Sequence, residues 1–187
     1  RLDKLGDMIL SLPAIKSVKI ANPNMQIFVL ASHHNAKVLK GLNYIDKIIV
    51  INTNKNLFSF FKNIISLRKL KFYFFINLSP TYLSYFFCFF SNSKNKAIII
   101  FLTRYAKSYF SKLFLRFFSK IFCNHIHIIN RCLKIKNNED IHQTNMIFDL
   151  LRKCKILFNN NTLIDISLPK KKLNIIPIKK NLIMFHL

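Results

Sequence analysis

Residues 72–93, FYFFINLSPTYLSYFFCFFSNS, carry no charged side chain, and the way this run divides decides what the chain can fold into. Undivided, it is long enough to cross a bilayer as one helix. Its middle, however, holds Asn77, Ser79, Pro80 and Thr81. A polar, proline-containing centre opposes insertion and favours a turn. Division at that point gives a buried strand, FYFFINL, a turn at SPT and an apolar helix from about Tyr82 to Phe90. The split is the reading adopted over a spanning helix.

The flanking segments repeat the pattern. QIFVLA (26–31) and KIIVIN (47–52) are short continuous apolar runs, as expected of parallel strands covered on both faces. HNAKVLKG (34–41) between them reads as a short helix closing at Gly41, with glycine at the C-terminal cap. NLFSFFKNIISLRKL (56–70) spaces Leu57, Phe60, Phe61, Ile64, Ile65 and Leu67 as one helical face. AIIIF (97–101) is a further buried strand, and 102–135 is basic, aromatic and helical in spacing. That last stretch suits a packed amphipathic helix or one resting on an anionic membrane. Within it FCNHIHIIN alternates as a strand does. NNEDIHQTNMIFDLLRKCKIL reads as a helix capped at Asn137 or Asn138, with Ile141, Ile147, Leu150, Leu151 and Cys154 on its buried stripe. Strands alternating with helices define an α/β domain with a parallel sheet.

Composition narrows the class. The chain has 187 residues, enough for one domain with a real core, and its 51% hydrophobic content with 20 Phe excludes a disordered protein. Thirty Lys and Arg stand against seven Asp and Glu, a formal charge of +23. Such a balance points to a polyanionic partner: nucleic acid, an anionic membrane or a phosphorylated substrate. Lysine, asparagine and isoleucine are abundant throughout, so compositional drift accounts for the charge equally well. The basic residues are scattered and no nucleic-acid module is recognisable, so no nucleic-acid partner is expected. The four cysteines form no C-x-x-C pair and no small disulfide framework, which suits a reducing compartment. Cys123, His125, His127 and Cys132 cluster without the turn-borne spacing of structural zinc sites, and no metal is expected.

The opening RLDKLGDMILSLPAIKSVKIANP reads as a strand-to-helix loop whose leading strand would precede Arg1. Gly6 would permit a tight turn, and Asp7 would stand at or near the start of a helix carrying Met8, Ile9, Leu12, Ile15 and Val18. Pro13 marks either a kink or a true first helical turn. Loops at the carboxyl ends of parallel strands are where such sheets bind ligands. Asp7 is therefore either an acid stabilising the helix terminus or a group aimed into the cleft. With two glycines in the whole chain, no Gly-rich phosphate loop is present.

Taken in order, RLDKLGDMILSLPAI, NPNMQIFVLA, NYIDKIIVIN, INLSPTYLS, HQTNMIFDLLRKCKI and LIMFHL resemble the amino-terminal part of glycosyltransferase family 9, the ADP-heptose:lipopolysaccharide heptosyltransferases. The resemblance spans nearly the whole chain. It departs at Asn77, where relatives often carry Asp, and in Ser79-Pro80-Thr81, which lacks the basic residue often found after that turn.

The resemblance implies a Rossmann-like parallel sheet forming the amino-terminal half of a twin-Rossmann, GT-B type enzyme. Residues 1–167 would form the acceptor-binding domain, 168–180 an interdomain linker, and 181–187 the first strand of a nucleotide-sugar-binding domain. Asp7 maps onto the family's proposed catalytic base for inverting transfer of heptose to the lipopolysaccharide inner core. Arg1 and Lys4 would flank the cleft as partners for acceptor phosphates or carboxylates, with Asp3, Gly6, Ser79 and Thr81 completing the substrate site. No cofactor is implied beyond the donor, ADP-heptose, which belongs to the second domain, so this part alone would be inactive. A peripheral position on the inner face of the cytoplasmic membrane follows. The alternative is a non-enzymatic basic protein binding anionic lipid or nucleic acid.

Overall fold

The computed structural model describes residues 4–51, 57–101, 109–129 and 143–159. Five parallel strands form two groups. β1 (Phe28–Ser32) pairs with β2 (Lys47–Ile51), and β3 (Phe72–Asn77), β4 (Ser93–Phe101) and β5 (His125–Ile129) pair in that order. The helices are α1 (Leu5–Ile9), α2 (Leu12–Ala21), α3 (His33–Leu39), α4 (Leu57–Arg68), α5 (Tyr82–Phe90), α6 (Tyr109–Phe122) and α7 (Gln143–Lys153).

Side-chain alternation along the strands builds three layers. Ala97 and Ile99 of β4 face α2 and α7, meeting Val18, Ile147 and Leu150. Ile98 and Ile100 turn the other way, onto Tyr85, Cys88 and Phe89 of α5 and Leu115 of α6. In the other group Val29 and Ala31 pack under α1, α2 and α3, while Ile51 packs with Leu67 of α4 and Phe87 of α5. Thus α1, α2, α3 and α7 cover one face and α4, α5 and α6 the other. Right-handed crossovers demand such a change of face where strand order reverses. The reversal falls between β1 and β3. The undivided helix of 72–93 is ruled out by β3 and α5, and no helix among the described residues is long and apolar enough to cross a membrane.

Local chemistry explains the element ends. Gly41 follows α3 with φ 87°, the left-handed conformation glycine tolerates. Asp46 accepts from the backbone N–H of Ile27 (2.7 Å) and pairs with Lys19 (2.9 Å), tying α2 to the entry of β1 and β2. The Ile27 N–H first, and Lys19 next, hold the Asp46 carboxyl below its ordinary range.

Three expectations are corrected. The single first helix is two: Pro13 has no N–H to donate back into α1, so the helix ends at Ile9 and restarts at Leu12 with Pro13 in its first turn. Gly6 makes no tight turn; it is the second residue of α1, away from the left-handed region, with open space where a side chain would stand. β4 begins at Ser93, not Ala97, because its basic first half pairs with β3 although it is less buried. Lys96 there donates to the carbonyl of Phe89 at 2.6 Å. FCNHIHIIN supplies β5 as its alternation implies, following the amphipathic helix α6. The proposed cap at Asn137 or Asn138, Ile141, the 168–180 linker and the 181–187 strand lie outside the described residues.

Candidate active site

The sheet's switch point gathers the polar side chains. β3 ends at Asn77, and the turn that follows bends back on itself through its own side chains. Asn77 Oδ1 accepts from the Ser79 N–H at 3.2 Å. Thr81 then caps α5, its Oγ1 accepting from the Ser84 N–H, while Ser84 Oγ accepts from the Thr81 N–H, a reciprocal capping box. Ser84 Oγ also lies 2.6 Å from the carbonyl of Ser79, to which it donates. One buried serine thus holds both ends of the Ser79–Thr81 turn.

Opposite, α1 and α2 meet at Ser11, which is fully buried and donates to the carbonyl of Met8 at 2.7 Å. Thr144 of α7 donates to the carbonyl of Leu10 at 3.2 Å, pinning the same junction. Met8, Ser11, Asn77, Ser79 and Ser84 all line one end of a cavity of about 230 Å³. Asn77 and Ser79 are 4% and 1% exposed, and Asn77 Nδ2 and Ser79 Oγ have no hydrogen-bond partner among the described residues. Buried polar groups normally do, so these two are available to whatever enters the cleft.

The body of that cavity is of another kind. Its walls are consecutive residues of β1 (Phe28, Val29, Leu30) and of β3 (Phe74, Phe75, Ile76). Consecutive strand residues point to opposite faces, so the cavity lies in the plane of the sheet, between two strand edges. The Phe28 and Phe72 rings, 5.8 Å apart, close its other end. The apolar side chains that dominate this slot give a sugar's hydroxyls few partners. The polar rim at the carboxyl ends of the strands is where a hydrophilic substrate belongs.

Of the residues singled out from the sequence, Asp7 is half-buried in the first turn of α1, beside the fully buried Met8 that reaches the rim. Lys4 is the N-terminal cap residue of α1 and exposed, and its side chain forms no capping bond. Ser79 lies in the rim, whereas the Thr81 hydroxyl is taken up by the capping box. Arg1 and Asp3 lie outside the described residues. Ser11 and Ser84 were not anticipated. The signal for Ser84 was its place three residues after Thr81, in the capping pattern with serine instead of Glu or Gln. His125 and His127 share one face of β5, as alternation predicts. Cys132 is outside the described residues, and no group of three or more His, Cys, Asp or Glu able to hold a metal occurs among those described.

This architecture, a doubly covered parallel sheet with its polar groups at the switch point, is Rossmann-like, the domain type from which twin-Rossmann glycosyltransferases are built. The chain is similar to the crystal structure of a glycosyl transferase family 9 protein from Veillonella parvula DSM 2008, with TM-score 0.61 and 18% identity, over 90% of this chain and 41% of that one. The likeness establishes the fold, and the chain spans less than half the length of that protein. No protein-family model matches the chain. No curated protein matches it.

Proposed function

We propose that the chain is the acceptor-binding part of an inverting glycosyltransferase that uses a nucleotide-sugar donor. The observation that carries the reading is the convergence of α1, the α1–α2 junction and the β3–α5 turn at the switch point of a fold shared with a glycosyl transferase family 9 structure. In this reading Asp7 is the catalytic base. Its carboxylate takes the proton of an acceptor hydroxyl while that oxygen forms the new bond to the anomeric carbon, and the bond from that carbon to the nucleotide's phosphate breaks on the opposite face. Gly6, with nothing in the space beside it, leaves room for the acceptor next to Asp7. Ser79 and Asn77 offer it hydrogen bonds, Lys4, Arg1 and Asp3 would supply its charged partners, and Thr81 shapes the turn.

The finer reading is heptose transfer from ADP-heptose to the lipopolysaccharide inner core, at the cytoplasmic face of the inner membrane. The ordered set of family-like stretches supports it. The donor would be held by a second domain, and no metal or cofactor enters the step. The test is transfer from ADP-heptose to a lipopolysaccharide-core acceptor by the whole protein, with Asp7→Asn beside it. Transfer lost in the variant with acceptor binding retained is the expected result. Equal transfer by both proteins returns Asp7 to a purely helical role.

A further inference from the structure

The outer surface of α4, α5 and α6 carries a feature that sugar transfer does not use. Phe61, Ile65, Phe117 and Ile121 are 58%, 58%, 60% and 59% exposed, and Phe86, Phe90, Leu113 and Phe114 are exposed as well. The phenylalanines among them are joined by one run of neighbouring rings across the three helices. Phe61 meets Phe60 at 5.6 Å, Phe60 meets Phe86 at 6.1 Å, Phe86 stacks on Phe90 at 6.1 Å, and Phe90 meets Phe122 at 6.3 Å. Phe122 continues to Phe118 at 6.0 Å, and Phe118 to Phe114 at 4.2 Å. Lys62 of α4 and Arg116 and Lys120 of α6 are exposed on the same helices, next in sequence to Phe61, Phe117 and Ile121. The sequence from Lys47 to Asn138 contains no aspartate or glutamate, so none of the three helices carries an acid.

We infer that this face docks on an anionic lipid bilayer, its aromatic and aliphatic side chains entering the headgroup boundary and its cations pairing with lipid phosphates. A contiguous apolar patch this broad is unusual on a monomer's free surface and marks an interaction site. Rings with interspersed Lys and Arg are what an interfacial helix presents to anionic lipid. A second copy is a poorer occupant, since an isologous contact would set this wholly cationic face against itself. The inference deepens the membrane-peripheral part of the proposed function, but uses no substrate contact. Vesicle binding without sugar transfer would count against the enzymatic reading alone.

The experiment is flotation of the whole protein with vesicles of phosphatidylglycerol and phosphatidylcholine, and with vesicles of phosphatidylcholine alone. The wild type binds the anionic vesicles, and binding weakens as salt is raised. The Phe117→Glu, Ile121→Glu double variant loses about tenfold or more in affinity. Leu157→Glu, a 70% exposed position beyond α7 on the opposite layer, changes binding little. Thermal unfolding confirms that both variants remain folded. Equal binding by wild type and the double variant overturns the inference, as does equal loss in Leu157→Glu or equal binding to the neutral vesicles. A wild-type dimer in solution that the double variant abolishes, without vesicle binding, overturns it in favour of a second copy.

Discussion

Replacing Ser84 with alanine tests whether the β3–α5 turn is held by the single hydroxyl that the structure places there. Ser84 Oγ contacts the Ser79 carbonyl at 2.6 Å, the Thr81 carbonyl at 2.7 Å and the Thr81 N–H at 3.3 Å. Alanine suits the helix and removes these bonds together with the one Ser84 Oγ accepts from the Thr81 hydroxyl at 3.0 Å. The Ser79 residue is buried, so its carbonyl loses its hydroxyl partner where water cannot easily replace it. A buried acceptor left unmade costs about 1–3 kcal/mol. The lost half of the capping box belongs to a motif worth about 1 kcal/mol. The two overlap, which gives about 2 kcal/mol in all and a fall in Tm of about 4–8 °C for a chain of this size. Calorimetry of Ser84→Ala and Thr81→Ser measures it, the second variant retaining a hydroxyl at the cap and staying within about 0.5 kcal/mol of wild type. If the proposed function holds, Ser84→Ala in the whole protein should raise KM for the acceptor more than it lowers kcat, because in that reading the turn positions Ser79 without touching the reacting atoms. An unchanged Tm for Ser84→Ala would refute the account of the turn.

Three further outcomes rest on the same packing and hydrogen bonding. Gly6→Ala adds a methyl group to helical backbone where no atom lies within 4 Å, so unfolding measurements should show a gain of about 0.5–1 kcal/mol; sugar transfer should fall in the same variant if that space admits the acceptor. The Asp46 carboxyl is held low by the Ile27 N–H and Lys19, so its stabilisation is full above the unfolded carboxylate value and is lost as pH falls through the lower folded one. Asp46→Asn should therefore flatten the acid limb of a stability-against-pH curve and change its neutral region less steeply. Leu150, fully buried between α7 and the sheet, should cost about 3 kcal/mol when cut to alanine, read as a shift in urea midpoint with unchanged slope.

The fold was legible wherever one signal dominated. QIFVLA and KIIVIN supply the parallel strands β1 and β2 as expected, but only β1 is well covered; β2, which pairs with β1 alone among the described residues, leaves Val50 48% exposed. Pro80 and its polar neighbours divided the uncharged run correctly, and α5 spans Tyr82–Phe90 as expected. Errors arose where the local pattern reports burial but not pairing. Ser93–Lys96 are less buried than the rest of β4, yet their backbone pairs with β3, and only a partner strand can reveal that. The site was less legible for the same reason. Ser11 is an unremarkable serine between apolar residues in the sequence; the break imposed by Pro13 turns its hydroxyl back on Met8 and brings it to the rim. Gly6 looked like a turn residue because glycine usually is one, while here the missing side chain matters for the space it leaves.

The gap between the two strand groups bears on how the rim works. β1 and β3 each pair on one side only among the described residues, and both turn the other edge to the slot. Strand edges offer a row of backbone donors and acceptors that seek another backbone. Across the slot, cohesion comes instead from α2, whose Ala14 and Val18 pack on the β4–β5 side while Leu12 packs on β1. α2 takes Ser11 as its N-terminal cap residue, and Ser11 lines the same cavity as Asn77 and Ser79. The helix that holds the two strand groups together therefore also holds that polar rim against α1, where the proposed base stands.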